Sequence, residues 1–384
     1  MSGVQFRVGY NDHRVVEDFL TGDPEGVAGI LVEAKHVDRH SNVIEAAHAV
    51  DRTVRIEPLT ERLAAEGFST KGLEYGYAVI DPELDLATAT ARDELVSSVI
   101  APQVEAASTL TPAHFFVEDE ATLDLNLDLV RRTRRSYSTT DLQPILSVQR
   151  TLIDQQGVAE LIAQRYLQAG VSHIELRLSP LGTEDDGPVK IRSALSILDR
   201  IRSTGLAVTL GEQGTLGETA LALGLAEGYS LGVGMREHCD TKTALSRQRR
   251  EAQRQQARPP RAPRPGVHIP RASVTVSPEV GKELYQQAEI RTKLICRLGS
   301  CAEGIDRPAT QAKPHYLHSR SDTAASILQQ PQRWRGTLQA DRLVEAIDLR
   351  ATINKHLPPD ANPLKTRALE VLANELGGGA SAAA

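Results

Sequence analysis

From Val27 onward the hydrophobic positions fall into short β-rich runs, each followed by a longer stretch with helical spacing. The runs are Val27–Val32 (VAGILV), Val54–Pro58 (VRIEP), His114–Val117 (HFFV), Pro144–Gln149 (PILSVQ), Val171–Leu178 (VSHIELRL), Leu206–Leu210 (LAVTL), Tyr229–Val233 (YSLGV) and Ala272–Val276 (ASVTV). Among them Asn42–Val50, Arg92–Ala107, Val158–Gln168, Val189–Ser203, Leu216–Gly224 and Pro278–Cys296 have the period of amphipathic helices. Strands separated by helices run parallel and are joined by right-handed crossovers. Eight such units predict a (β/α)8 TIM-type barrel over residues 1–296, the simplest closure. A doubly wound open sheet is the rival, but it normally begins with a glycine-rich turn, and here the first run ends in Glu33-Ala34-Lys35-His36.

Two regions depart from the alternation. Residues 241–266 form an Arg/Gln/Pro-rich insertion, whose first half suits a polar helix and whose second half, with four prolines, does not. Residues 297–376 open with a polar, irregular stretch and close with helical spacing over Asp322–Gln329 and Thr337–Lys355, predicting a helical C-terminal appendage. The low-complexity end, 377–384 (GGGASAAA), is expected to be disordered.

Composition narrows the class. With 40% apolar and 24% charged residues the chain has the make-up of a globular protein, which argues against global disorder. No run approaches the ~18 unbroken apolar residues of a membrane span, and the first residues lack a secretory pattern, so a cytoplasmic protein is expected, with no membrane partner. Three cysteines, an odd number, rule out a disulfide framework. Only nine of the 44 basic residues are Lys, the usage of a GC-rich bacterial or phage gene. The net charge of −6 speaks against a polyanion partner, yet seven arginines (Arg247, Arg249, Arg250, Arg254, Arg258, Arg261 and Arg264) crowd into the insertion and keep a local nucleic-acid contact at 247–264 open.

In barrel enzymes catalysis sits where the strands end at their C-terminal side. Those positions are rich in ionisable groups here: Glu33 and Lys35 after the first run, Glu57 after the second, Glu175 and Arg177 on the polar face of VSHIELRL, and Glu212 after LAVTL. His173, Glu175, Arg177 and Ser179 share one face, leaving Ile174, Leu176 and Leu178 to meet the helices. Such a cluster shifts pKa values and suits acid/base work, with a carboxylate, Glu175 or Glu33, as base or nucleophile and Lys35 and Arg177 offsetting negative charge. The bland alternative is an ion-paired plug that merely fills the barrel. Gly232 and Gly234 follow the seventh run, where barrels often bind phosphate through backbone amides, although a tight turn explains them equally well. Cys296, Cys301, His315 and His318 form C-x4-C-x13-H-x2-H, a candidate structural zinc set set against incidental thiols. Trp334, the one tryptophan, is expected to anchor the C-terminal helices.

PILSVQ (144–149), GVSHIEL (170–176) and GYSLGVG (228–234) together are similar to tRNA-guanine transglycosylases and related base-exchange barrels. The resemblance covers about a quarter of the chain, and Arg150 and Thr151 stand where that family has two glycines. It implies a base-exchange transferase acting on a nucleobase-like substrate, with Gln149 recognising the base and the Cys/His set holding zinc. IELRLSP (174–180) and VTLGEQG (208–214) look like pieces of adenosine-deaminase-type barrels, but the HxH metal pair is missing and Gly211 stands where a histidine is needed. Two functions stay open: an enzyme acting on a small polar or nucleobase-like ligand, and a non-catalytic barrel that binds a protein or nucleic acid through its arginines.

Overall fold

The computed structural model describes residues 2–182, 186–234, 237–253, 266–296, 298–299 and 307–382. Seven strands form one parallel sheet: β1 (Gly3–Val8), β2 (Val27–Glu33), β3 (Thr53–Glu57), β4 (Ile145–Gln149), β5 (His173–Ser179), β7 (Ala207–Leu210) and β8 (Gly228–Gly232). Two short strands, β6 (Leu181–Gly182) and β9 (His238–Cys239), pair antiparallel beyond the strand ends, and β10 (Val267–Ile269) pairs antiparallel with β11 (Val274–Val276). The order across the sheet is β3-β2-β1-β8-β7-β5-β4, so the first and last of the seven lie side by side.

A flat sheet in this order would put β3 and β5 five steps of ~4.8 Å apart, about 24 Å. Instead the Arg177 Nη1 of β5 lies 2.6 Å from the Glu57 Oε1 of β3, and Arg55 Nη1 of β3 lies 2.6 Å from Glu175 Oε2 of β5. The sheet is therefore curled, and side chains from distant strands meet inside it. The stretch 108–117 runs between the two edge strands. Ser108 N–H donates to Val54 O at 3.0 Å on one side, and on the other Val117 N–H donates to Ser147 O at 2.8 Å while Gln149 N–H donates to Val117 O at 2.9 Å.

Alternation assigns the faces. Val4, Phe6 and Val8, Ile30 and Val32, Ile174, Leu176 and Leu178 point outward and are buried under helices, among them His13–Leu20, Ser41–Ala49, Val158–Gln168 and Pro188–Ser203. The intervening positions turn to the concave side, and many are polar. Helix starts follow ordinary capping chemistry: Asp119 Oδ1 accepts from Thr122 N–H at 2.8 Å, and Thr88 Oγ1 from Ala91 N–H at 3.2 Å.

The strand assignment differs from the sequence expectation at both ends. The first stave is Gly3–Val8, and Val274–Val276 lies outside the parallel sheet, in a hairpin with a hydrophobic cluster of its own. His114–Val117 forms only an isolated bridge through Val117. The C-terminal helices Ala312–Leu328, Gln332–Asn354 and Arg367–Ala382 are not peripheral, because Tyr316, Leu317, Ile327, Leu343, Leu369 and Leu372 join the main core. Trp334 is about half exposed rather than an anchor. No helix among the described residues is long and apolar enough to cross a membrane.

Gly228 sits at the β1–β8 seam, where a Cβ would lie 2.4 Å from the Gly3 carbonyl oxygen. Gly228→Ala is expected to lose about 1–3 kcal/mol of stability through overpacking. Gly336→Ala, in a helix with its nearest neighbour at 3.9 Å, is expected to gain about 0.5–1 kcal/mol. Urea denaturation midpoints measure both.

Candidate active site at the strand ends

The concave face carries a continuous ladder of charges. At its base Arg55, fully buried, donates to Glu175 Oε2, to Gln5 Oε1 at 3.2 Å and to Gln143 O at 3.0 Å. Gln143 Nε2 in turn donates to Thr209 Oγ1, which also contacts His173 Nε2 at 2.9 Å. One level higher, Glu175 Oε1 accepts from Arg177 Nε at 2.8 Å and from Ser230 Oγ at 3.2 Å. Arg177 then reaches Glu57, and Glu57 Oε2 pairs with Arg7 Nε at 2.7 Å. At the top Arg7 meets Glu212 at 2.9 Å and Glu33 at 3.4 Å, and Glu33 Oε2 lies 3.3 Å from Lys35 Nζ and 3.7 Å from His36 Nε2.

Burial grades along this ladder. The side chains of Arg55, Glu57, Glu175 and Arg177 are at most 2% exposed, whereas Arg7, Glu33, Glu212 and Lys35 range from 12% to 22%. The lower tier has the character of a scaffold, and the upper tier can meet a ligand. Burial by itself would raise the Glu175 carboxyl, but Arg177 and Arg55 outweigh it and pull it down to about 2. Glu57 behaves alike: Arg177 and Arg7 overcome its burial and hold it well below the usual carboxylate range. Burial lowers His36 despite the neighbouring Glu33, favouring the neutral ring.

Local backbone choices make room for this arrangement. A Cβ on Gly211 would lie 2.6 Å from Arg177 Cγ and 2.8 Å from Glu175 Oε1, so the position directly after β7 needs glycine. The next residue, Glu212, takes a left-handed φ of 58°, a conformation costing a non-glycine residue ~1 kcal/mol, and thereby turns its carboxylate onto Arg7. Glu61 and the buried His114 flank the ladder, with Glu61 Oε1 3.9 Å from Arg177 and His114 Nε2 4.0 Å from Glu61 Oε2. Helix Thr241–Gln253, the first half of the arginine-rich insertion, is tied across the strand ends. Thr241 N–H donates to Ser179 Oγ at 3.0 Å, and Gln248 Nε2 donates to the Arg62 and Ala65 carbonyls. Arg247, Arg249 and Arg250 are exposed on it; Arg254, Arg258, Arg261 and Arg264 lie outside the described residues.

All six strand-end residues singled out from the sequence, Glu33, Lys35, Glu57, Glu175, Arg177 and Glu212, belong to this one network. Gln149 ends β4 in register with Ser179, half-buried, two residues beyond the Ser147–Arg177 pair. Gly232 faces Arg7 across the β8–β1 register, and Gly234 has a φ of 102°, a turn-glycine conformation. The structure also adds partners the sequence reading missed. Arg7 sits on a strand with the readable alternation GVQFRV, and Arg55 precedes Glu57 by two, which puts both on one face.

Of the Cys/His set, two histidines have other contacts among the described residues. His315 Nε2 donates to His268 O at 2.8 Å, His318 lies edge-on to Phe19 at 5.0 Å, and Cys301 lies outside the described residues. Among the described residues no three His, Cys, Asp or Glu side chains are placed to share a metal.

Removing Arg177 takes one of two arginine partners from each of two buried carboxylates, so Arg177→Met is expected to cost about 3–5 kcal/mol in urea denaturation at neutral pH. The Glu175 carboxyl titrates lower in the folded than in the unfolded chain, so its contribution is complete above about pH 4.5 and is lost as pH falls toward 2. Stability measured across that window should decline less steeply in Glu175→Gln than in the wild type. No protein-family model matches this chain, and no curated protein is significantly similar to it.

Proposed function

We propose that the chain is a (β/α)8-barrel enzyme, with the stretch 108–117 as the irregular stave between β3 and β4, that performs proton-transfer chemistry on a small polar, nucleobase-like substrate at the strand ends. The observation that carries this reading is the graded charge ladder, in which a dry lower tier holds a partly open upper tier of Glu33, Lys35, Arg7 and Glu212. A plug that only filled the interior would not need Glu212 in a left-handed conformation to complete it.

In this reading Glu33 accepts a proton from a substrate N–H or O–H group or attacks as a carboxylate nucleophile. Lys35 and Arg7 offset negative charge that develops on the substrate. Glu175, enclosed and bound to two arginines, is a positioning residue, as are Glu57 and Arg177. Counting Arg7, Arg55, Arg177 and Lys35 against Glu33, Glu57, Glu61, Glu175 and Glu212, carboxylates outnumber cations by one. That favours a neutral or cationic ligand over a phosphate. Base exchange fits this chemistry, and Gln149, Gly232 and Gly234 would border the same opening.

The test is thermal denaturation of the full chain with free nucleobases and ribonucleosides, followed by titration of whichever ligand raises the midpoint. A ligand at 100 times its Kd adds about 2.7 kcal/mol, a shift of several degrees. Lys35→Ala and the double variant Glu33→Gln/Glu212→Gln should each weaken that ligand at least tenfold while remaining folded by circular dichroism. The proposal is wrong if no member of the panel stabilises the wild type, or if the variants bind as it does.

A second reading rests on the exposed Arg247, Arg249 and Arg250, presented on a helix fastened to the mouth: a barrel that binds a nucleic-acid or protein partner there. Deleting 246–265 separates the two, since a binding module loses its partner and the enzyme keeps its small ligand.

A further inference from the structure

Away from the strand-end ladder, and sharing no residue with it, a cavity of about 380 Å³ opens between the hairpin 267–276 and the helices Ala312–Leu328 and Gln332–Asn354. This is the size of a small-molecule site. Among the described residues its walls carry three arginines, Arg271, Arg320 and Arg342, and three carboxylates, Glu218, Asp322 and Glu345, together with an apolar side made by Pro270, Leu294, Ile295 and Leu298.

Most of these charges are already matched. Arg320 pairs with Glu218 at 2.7 Å and with Glu237, and Arg271 pairs with Glu345. Two are not matched by each other. Arg342 spends its Nη atoms on the Thr323 carbonyl and the Ser326 hydroxyl, neither of them anionic, and no ion pair within 4.0 Å joins it to Asp322. Partial burial raises the Asp322 carboxyl in spite of Arg342 nearby, and among the described residues no cation lies within ion-pair distance of it.

Two buried groups also face the cavity unsatisfied. Gln339 is 1% exposed, and its Oε1 has no hydrogen-bond partner; Arg320, equally buried, has an unpartnered Nε. A buried amide left without a partner destabilises the fold. Such groups persist where something else supplies the bond.

We propose that this cavity binds a free α-amino acid with an apolar side chain. The ligand's carboxylate meets Arg342 and its ammonium meets Asp322. Gln339 supplies a further hydrogen bond, and the side chain lies against Leu294, Ile295 and Leu298. Arg342 and Asp322, which are not paired with one another, select a zwitterion over a simple anion such as phosphate, and the apolar wall selects against a polar side chain. The proposal does not depend on the reading of the strand-end site.

The test is isothermal titration of the full chain with L-leucine as the probe. Saturable binding at one site per chain is expected. Asp322→Asn, a change at an exposed position that leaves the fold intact, and Arg342→Met should each weaken it at least tenfold. Leucinamide, which lacks the carboxylate, and 4-methylpentanoate, which lacks the ammonium, should bind at least tenfold more weakly than leucine. Absence of saturable leucine binding to the wild type overturns the proposal. So does unchanged affinity in Asp322→Asn, or equal binding of leucine and its two truncated analogues. Titration of phosphate as the competing chemistry should give no heat of binding, and tighter binding of phosphate than of leucine also overturns it.

Discussion

The pairing of Arg55 and Arg177 with Glu57 and Glu175 across the concave face is the constraint on which the rest of the structure depends. Four charges in a water-poor interior are tolerable only if each meets an opposite charge. Their partners lie on β3 and β5, five places apart in the sheet, so the pairs form only if the sheet curls until its distant strands face one another. Curling also buries the outward apolar positions under the helices. One geometry therefore serves the charges inside and the hydrophobic residues outside. Smaller choices follow from it: glycine at 211, where a methyl group would collide with the arginine, and serine at 230, which gives Glu175 a further donor.

The same ladder separates support from contact. Its lower members are ion-paired within the protein, although Arg55 Nε and Arg177 Nη2 have no hydrogen-bond partner, and their ionisation is held by neighbours rather than by solvent. Among the upper members Glu33 is shared among several partners at longer distances, touching Arg7, Lys35 and His36 at 3.3–3.7 Å. Groups held in that way can exchange a protein partner for a ligand at small cost. The strained turn at Glu212 and the helix Thr241–Gln253 lying over the strand ends both act at this upper level. Geometry concentrates there what chemistry would need.

Buried arginines recur as ties elsewhere. Arg350 donates to the Ala272, Ser273 and Lys365 carbonyls and so fastens the β10–β11 hairpin to the C-terminal helices. Arg320 joins the helix after β7, through Glu218, to the segment after β8, through Glu237. In both cases a guanidinium with several donors in a fixed plane satisfies groups from separate segments at once, which a lysine would not do as well. The C-terminal helices are thus part of the body of the protein rather than an attachment to it.

The sequence by itself determined the βα alternation, the parallel sheet and the polar face of VSHIELRL, because side-chain period and strand length are local properties. It also singled out six of the ladder's residues, since charges at strand ends stand out against apolar runs. It did not reveal that GVQFRV is the first strand: Gln5 and Arg7 read as solvent-facing until the partners that surround them are known. Nor did it show that ASVTV pairs in a hairpin, because three alternating residues fit either kind of ladder and only the neighbouring chain decides. The spacing of Cys296, Cys301, His315 and His318 named ligand types without placing them, and His315 is taken up by a carbonyl brought close only by packing. Which charge of the ladder meets which, and which of them still reaches water, is a matter of distances between residues up to 205 positions apart in the chain. No local pattern encodes such distances, so the tertiary structure alone decides them.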